Sequence, residues 1–139
     1  MYTRNDVLKA ADAVGAATKL EVFATGSALF YDNGADMDVV ARGDEGDATD
    51  VLDSGYTLCA GLTYGEPSKF TALRNGPVNV IVVHSDELWE RWAAATLAVL
   101  KLKDAGVLLD KAQRAALFEG VKDLNAITTL DDRPEYECV

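Results

Sequence analysis

Apolar residues near the start of the chain recur at helical intervals: Val7, Ala11 and Val14 are followed by Thr18, and Thr3 stands three residues before Asp6. In that capping-box pattern a hydroxyl and a carboxylate each satisfy a backbone amide of the other residue, so TRNDVLKAADAVGAATK predicts an amphipathic helix. The period then changes. LEVFATG, which stops at Gly26, and MDVVAR, from Met37 to Arg42, are short runs of branched and aromatic residues of the kind strands use. YDNGAD between them has the chemistry of a turn.

Further on, Val51 and Leu52 in GDEGDATDVLDSGY anchor a short helix that Gly55 ends. Lys69 to Arg74 and Val78 to Val83 predict two strands around Asn75-Gly76, the dipeptide that most readily supplies the positive φ angles of a tight hairpin. Ser85 then caps a helix with Asp86 and Glu87 in its first turn, where the amide dipoles favour negative charge, and with an apolar stripe of Leu88, Trp92, Ala95, Val99 and Leu102. Gly106 stops it. Asp110 and Gln113 repeat the capping-box spacing ahead of Leu117, Phe118, Val121 and Leu124, which predicts a last helix. Helix, strand, strand, helix, hairpin, helix, helix is the order of an α+β domain: a small mixed β-sheet with helices packed against it.

Composition narrows the function more than the fold. With 139 residues, 49% hydrophobic and 26% charged, the chain suits a single domain over residues 1–130 with an acidic C-terminal tail at 131–139. Its 23 acidic and 13 basic residues give a formal charge of -10, which disfavours a nonspecific grip on bulk nucleic acid. No apolar run approaches the roughly 20 residues of a membrane span. Arg4, Asp6, Lys9 and Asp12 fall where a signal peptide would be apolar, so a cytoplasmic protein without a membrane partner is expected. Cys59 and Cys138 lack a CxxC partner or a histidine cluster; neither a zinc site nor a disulfide framework can be read, and Cys59 is expected to be an inert buried thiol.

The segment ATGSALFYDNGADMDVVA holds the candidate chemistry. Strand side chains alternate faces, so Asp36 and Asp38 project together while Met37 points into the apolar layer. Two like charges on one face call for a counterion, and Mg2+, which prefers oxygen ligands and keeps positions open for water and phosphate, is the expected cofactor. Gly26 permits close backbone approach to a phosphate, and the Ser27 hydroxyl and nearby amides can donate to its oxygens. Two acids separated by one residue also occur by chance in an acidic chain, as solvating groups at a strand end; the Gly26-Ser27 element is what favours metal binding.

These residues resemble the signature of the nucleotidyltransferase superfold, typified by DNA polymerase beta and the minimal nucleotidyltransferases: a Gly-Ser pair (Gly26, Ser27), a spacer (Ala28 to Ala35), then acid, hydrophobe, acid, hydrophobe (Asp36, Met37, Asp38, Val39). FTALRNGPVNVIVVHSDELWERWAAATLAVLKL and DKAQRAALFEGV are similar to the second half of short phage-encoded nucleotidyltransferase-like proteins, so the likeness spans most of Leu20 to Val121. It implies a nucleotidyltransferase-like fold in which the aspartates bind two magnesium ions together with a nucleoside triphosphate, for transfer of a nucleotidyl group to a hydroxyl acceptor. If the chain is phage-encoded, its compartment is the host cytoplasm. The family's third carboxylate belongs on the strand VNVIVV, where Asn79 is the residue best placed to face Asp36 and Asp38. Asparagine coordinates without charge and takes no proton, which leaves open a catalytically degenerate fold that binds a nucleotide or a host protein. A domain of this length has no separate acceptor-binding region, so a homodimer or a partner protein is expected to complete the cleft.

Other residues carry two readings each. Lys69 and Arg74 would border the site and could hold a nucleotide phosphate, or they are charges that protect an edge strand. His84 and Asp86 lie just past the strand of Asn79; His84 has the wrong parity for the same face and is expected to be a local hydrogen-bonding residue. Trp89 and Trp92 fall on the helical stripe as packing residues.

Overall fold

Helix α1 (Arg4–Thr18) begins where the capping box predicts: Thr3 Oγ1 accepts from the Asp6 amide at 3.2 Å, and the Asp6 carboxylate accepts from the Thr3 amide at 2.9 Å. The structure is a computed structural model that describes residues 1–60, 70–110, 112–114 and 116–117. After α1 come β1 (Glu21–Thr25), α2 (Gly26–Tyr31), β2 (Met37–Arg42), α3 (Glu45–Asp53), β3 (Thr57–Ala60), β4 (Phe70–Asn75), β5 (Val78–Val83) and α4 (Asp86–Asp104). The strands form one mixed sheet in the order β1-β2-β5-β4-β3, with β2 and β5 parallel and the other pairs antiparallel. The expected α+β architecture, a small mixed sheet with helices packed on it, is the observed one.

Strand alternation divides the core in two. Met37, Val39 and Ala41 of β2, Val80 and Val82 of β5 and Leu73 of β4 pack with Val7, Ala11 and Val14 of α1, with α2, and with Ala48 and Val51 of α3. On the opposite face Val40, Ile81, Val83, Ala72 and Phe70 pack under Leu88 and Trp92 of α4. Val39, Val80, Val82 and Val83 have no exposed surface, and each such side chain contributes about 1.5–3 kcal/mol by leaving water. Trp92 is 3% exposed and the Trp89 ring lies 4.8 Å from that of Phe23, so both tryptophans are packing residues, as expected.

Four local differences from the sequence reading have identifiable causes. Part of the spacer before β2 is helical: Ala28, Leu29 and Phe30 of α2 are buried against α1 and the sheet, and only Asp32, in the left-handed region at φ 57°, begins the turn. Strand β3 was not expected; TLCA is too short to show a period. In the hairpin Asn75 is still paired with Val78, so the two-residue loop is Gly76-Pro77, and Gly76 alone takes a positive φ of 59°, as the first position of a type II′ turn requires. Cys59 is half-buried and disulfide-bonded rather than an inert buried thiol.

The predicted caps hold. Ser85 Oγ accepts from the Leu88 amide at 3.1 Å, and Asp110 and Gln113 exchange bonds of 2.8 and 2.9 Å ahead of a helical turn at residues 112–114. Phe118, Val121, Leu124 and the 131–139 tail lie outside the described residues. Among the described residues no helix is long and apolar enough to cross a membrane.

Candidate functional site

Register assembles the site. Thr25 of β1 pairs with Asp38 of β2, Asp38 with Asn79 of β5, and Asn79 with Arg74 of β4. Cross-strand partners share a face, so these four side chains form a polar row on the face that α4 partly covers. Thr25 closes one end: its hydroxyl lies 2.9 Å from that of Thr96 on α4, which donates in turn to the Trp92 carbonyl at 3.0 Å, leaving Thr25 as the donor of the pair.

Asp38 is the centre of the row. Asn79 Nδ2 donates to its Oδ1 at 2.9 Å. Its other oxygen lies against the start of α2, where a Cβ built on Gly26 would stand 2.2 Å from Oδ2. Gly26 also has φ +84°, so both its backbone conformation and the approach of the carboxylate exclude a side chain there. The glycine-serine corner and the second aspartate are therefore in contact.

Asp36, just before β2, adds a second carboxylate, and Arg74 Nη2 donates to its Oδ2 at 3.1 Å while Arg74 Nε donates to the Gly76 carbonyl at 3.0 Å. Because β4 lies between β3 and β5, Arg74 is not on an edge strand, and protection of an edge is not its role. Desolvation, reinforced by the charge of Asp36, pushes the Asp38 carboxyl up to about 6, against the hydrogen bond from Asn79 and the charges of Arg74 and Arg114. Asp38 thus carries its charge at a cost, because burial and the neighbouring carboxylate outweigh the two arginines and the Asn79 amide.

The loop that holds the aspartates is fixed from three sides. Tyr2 and Gly34 exchange backbone bonds of 2.7 and 2.9 Å, Arg4 Nε donates to the Leu29 carbonyl at 2.8 Å, and the Arg4 amide donates to Asp32 Oδ1 at 2.6 Å. A Cβ on Gly34 would lie 2.7 Å from the Ala28 amide nitrogen, so the return from α2 to β2 has no room for a larger residue.

One site residue had no signal in the sequence. Arg114, on the turn after the Asp110 cap, donates through Nη1 to Ser27 Oγ at 3.2 Å, with its guanidinium carbon 5.2 Å from the Tyr31 ring centroid and 5.9 Å from that of Phe30. The Tyr31 hydroxyl donates to the Leu109 carbonyl and holds this segment against α2. Capping spacing foretold the turn, but no local pattern indicates that its arginine reaches a residue from the other half of the chain.

Of the predicted site residues, Gly26, Asp38, Asn79, Arg74 and Asp36 are brought together, with Ser27 beside them; Lys69 lies outside the described residues. His84 is elsewhere: Nδ1 donates to the Gly43 carbonyl at 2.7 Å and Nε2 lies 2.8 Å from the Thr71 hydroxyl, a structural bridge on the other face. Asp86 pairs with Arg42 at 2.5 Å, away from the row. Asp36 and Asp38 are hard oxygen donors of the kind Mg2+ takes, but Asn79 presents its amide nitrogen to Asp38 and Arg74 donates to Asp36, and among the described residues no group of three or more His, Cys, Asp or Glu side chains comes together.

The fold and the row define an α+β protein with a paired-aspartate site at one end of a mixed sheet. No protein family and no curated protein matches the chain. Among solved structures it is similar to the conserved protein GrpB from Enterococcus faecalis, with a TM-score of 0.55 and 16% identity over 93% of this chain and 97% of that one. The two share a fold.

Proposed function

We propose that the protein binds a nucleoside triphosphate with Mg2+ at Asp36 and Asp38 and transfers the nucleotidyl group to a hydroxyl acceptor. The observation that carries this reading is the contact between Gly26 and the Asp38 carboxylate, which puts a backbone free of Cβ and the Ser27 hydroxyl beside the paired acids. The fold shared with GrpB accommodates the reading without specifying a chemistry.

In this scheme Asp36 and Asp38 hold the cation, which when bound stabilises charge developing on the leaving pyrophosphate. Gly26 lets the phosphates approach the chain, and Ser27 donates to one of their oxygens. Asn79 holds Asp38 in place but accepts no proton, so the acceptor hydroxyl loses its proton to water. The reaction should accordingly run about a hundredfold to ten-thousandfold below that of a site with a positioned base. A second subunit or a partner protein supplies the acceptor side.

One observation favours a second reading, a nucleotide- or host-protein-binding module without catalysis. Both carboxylates already receive donors from the protein itself, Asp38 from Asn79 and Asp36 from Arg74. Titration with Mg2+ and each nucleoside triphosphate, followed by a pyrophosphate-release assay on the wild type and Asn79→Asp, separates the two. Release that rises in Asn79→Asp supports transfer; binding lost in Asp38→Ala, with no release from any acceptor mixture, leaves the binding module. If neither metal nor nucleotide binds, both readings of the pocket as a nucleotide site fail, and capture from a host lysate becomes the experiment that tests the host-protein arm.

A further inference from the structure

Arg114 is held in an unusual way for a cation so near two carboxylates. Its Nη1 is spent on a neutral hydroxyl, its charge lies over two aromatic rings, and its Nε is buried without an acceptor among the described residues. A buried donor left unmade is costly, and arginine's planar fork is built for oxyanions rather than for a lone hydroxyl. The bond to Ser27 also has a direction. Because Ser27 Oγ accepts from Arg114, its own proton is not used in that bond and can be donated to a second acceptor. Arg114 thus has one unsatisfied, enclosed donor and leaves the Ser27 hydroxyl free to donate, beside the corner that touches Asp38.

The acceptor must be an anion able to enter beside Asp36 and Asp38. A simple carboxylate has too few oxygens for both roles, whereas a polyphosphate, whose larger charge is offset by the divalent cation it brings, can share that cation with the aspartates and still present an oxygen to an arginine. We infer that Arg114 is a polyphosphate-binding residue of this site, taking an oxygen of the phosphate chain that Ser27 also contacts; this rests on the reading of the site given above. Arg114 arrives from a separate segment, docked through Tyr31 and Leu109, so the site is completed by a part of the chain that no spacing rule connects to the aspartates.

The test uses inorganic tripolyphosphate, with and without Mg2+, on the full chain and on Arg114→Met and Arg114→Lys. Methionine keeps the apolar stem on the two rings but removes the fork. Calorimetric affinity for tripolyphosphate with Mg2+ should fall about ten- to a hundredfold in Arg114→Met, the loss of one charge-assisted contact, and lie between the two in Arg114→Lys. In the wild type, the arginine Nε–H resonance that is absent from Arg114→Lys should move when tripolyphosphate saturates; this readout stands even where Arg114→Met fails to fold. Wild-type affinity in Arg114→Met with an unmoved resonance overturns the inference and leaves the metal-nucleotide reading intact. Binding that needs Arg114 but is indifferent to Mg2+ upholds the inference and overturns the metal-dependent reading. No binding of tripolyphosphate to the wild type overturns both.

Discussion

Replacing Asp38 with asparagine should stabilise the metal-free protein at neutral and alkaline pH and leave it nearly unchanged in acid. Burial and the neighbouring Asp36 push the Asp38 carboxyl up to about 6 from an ordinary value of 3.8. Below the lower value both folded and unfolded chains hold the proton, and the group favours neither. As pH rises between the two, the unfolded chain releases its proton while the folded chain still keeps it, and stability falls. Above about 6 the cost is complete: a shift of about two units, at about 1.36 kcal/mol each, amounts to roughly 3 kcal/mol. Asparagine carries no charge to bury, and its carbonyl still accepts from Asn79. Urea unfolding in EDTA, followed by the fluorescence of Trp89 and Trp92, should therefore show Asp38→Asn more stable at pH ~8 by up to roughly 3 kcal/mol and within about 0.5 kcal/mol of the wild type at pH ~4. Mg2+ at about a hundred times its dissociation constant would contribute about 2.7 kcal/mol to the wild type and close most of that gap. Equal stability of variant and wild type at alkaline pH, or an equal gain at both pH values, would refute the reasoning.

Gly26→Ala should destabilise the fold and abolish Mg2+ binding, because a methyl group would meet Asp38 Oδ2 at 2.2 Å; Gly55→Ala, with φ +108° and open space around it, isolates the backbone strain of about 1–2 kcal/mol, and urea midpoints of the pair give the difference. Thr96→Val should cost about 1–3 kcal/mol by leaving the buried Thr25 hydroxyl unmatched, and the double variant with Thr25→Val should recover most of it in a double-mutant cycle. Ser85→Ala removes the acceptor for the Leu88 amide and should lower stability by about 1 kcal/mol, measured as a shift in urea midpoint with an unchanged slope.

What the sequence made legible follows from the range of the forces involved. The capping boxes at Thr3 and Asp110, the Ser85 cap and the stripe from Leu88 to Val99 all rest on contacts within one or two turns, and each is found where it was expected. Asp36, Asp38 and Asn79 were also legible, because alternation along a strand is local and the resemblance noted in the sequence suggested which strands lie together. Helix α2 was hidden because GSALFY carries turn-forming neighbours and is held as a helix by tertiary burial of Ala28 and Phe30. Arg74's pairing with Asp36 depends on β4 lying inside the sheet, a matter of strand order that neither strand encodes alone. Arg114 depends on docking across 87 positions of sequence, beyond the reach of any periodicity.

The ties of Tyr2 and Arg4 to the loop before β2 give the amino end an importance out of proportion to its few contacts. These residues act as a guy-line on the aspartates. Breaking these bonds would slacken the acidic pair without touching it. Damage to the pocket can therefore begin at a place that shares no chemistry with it.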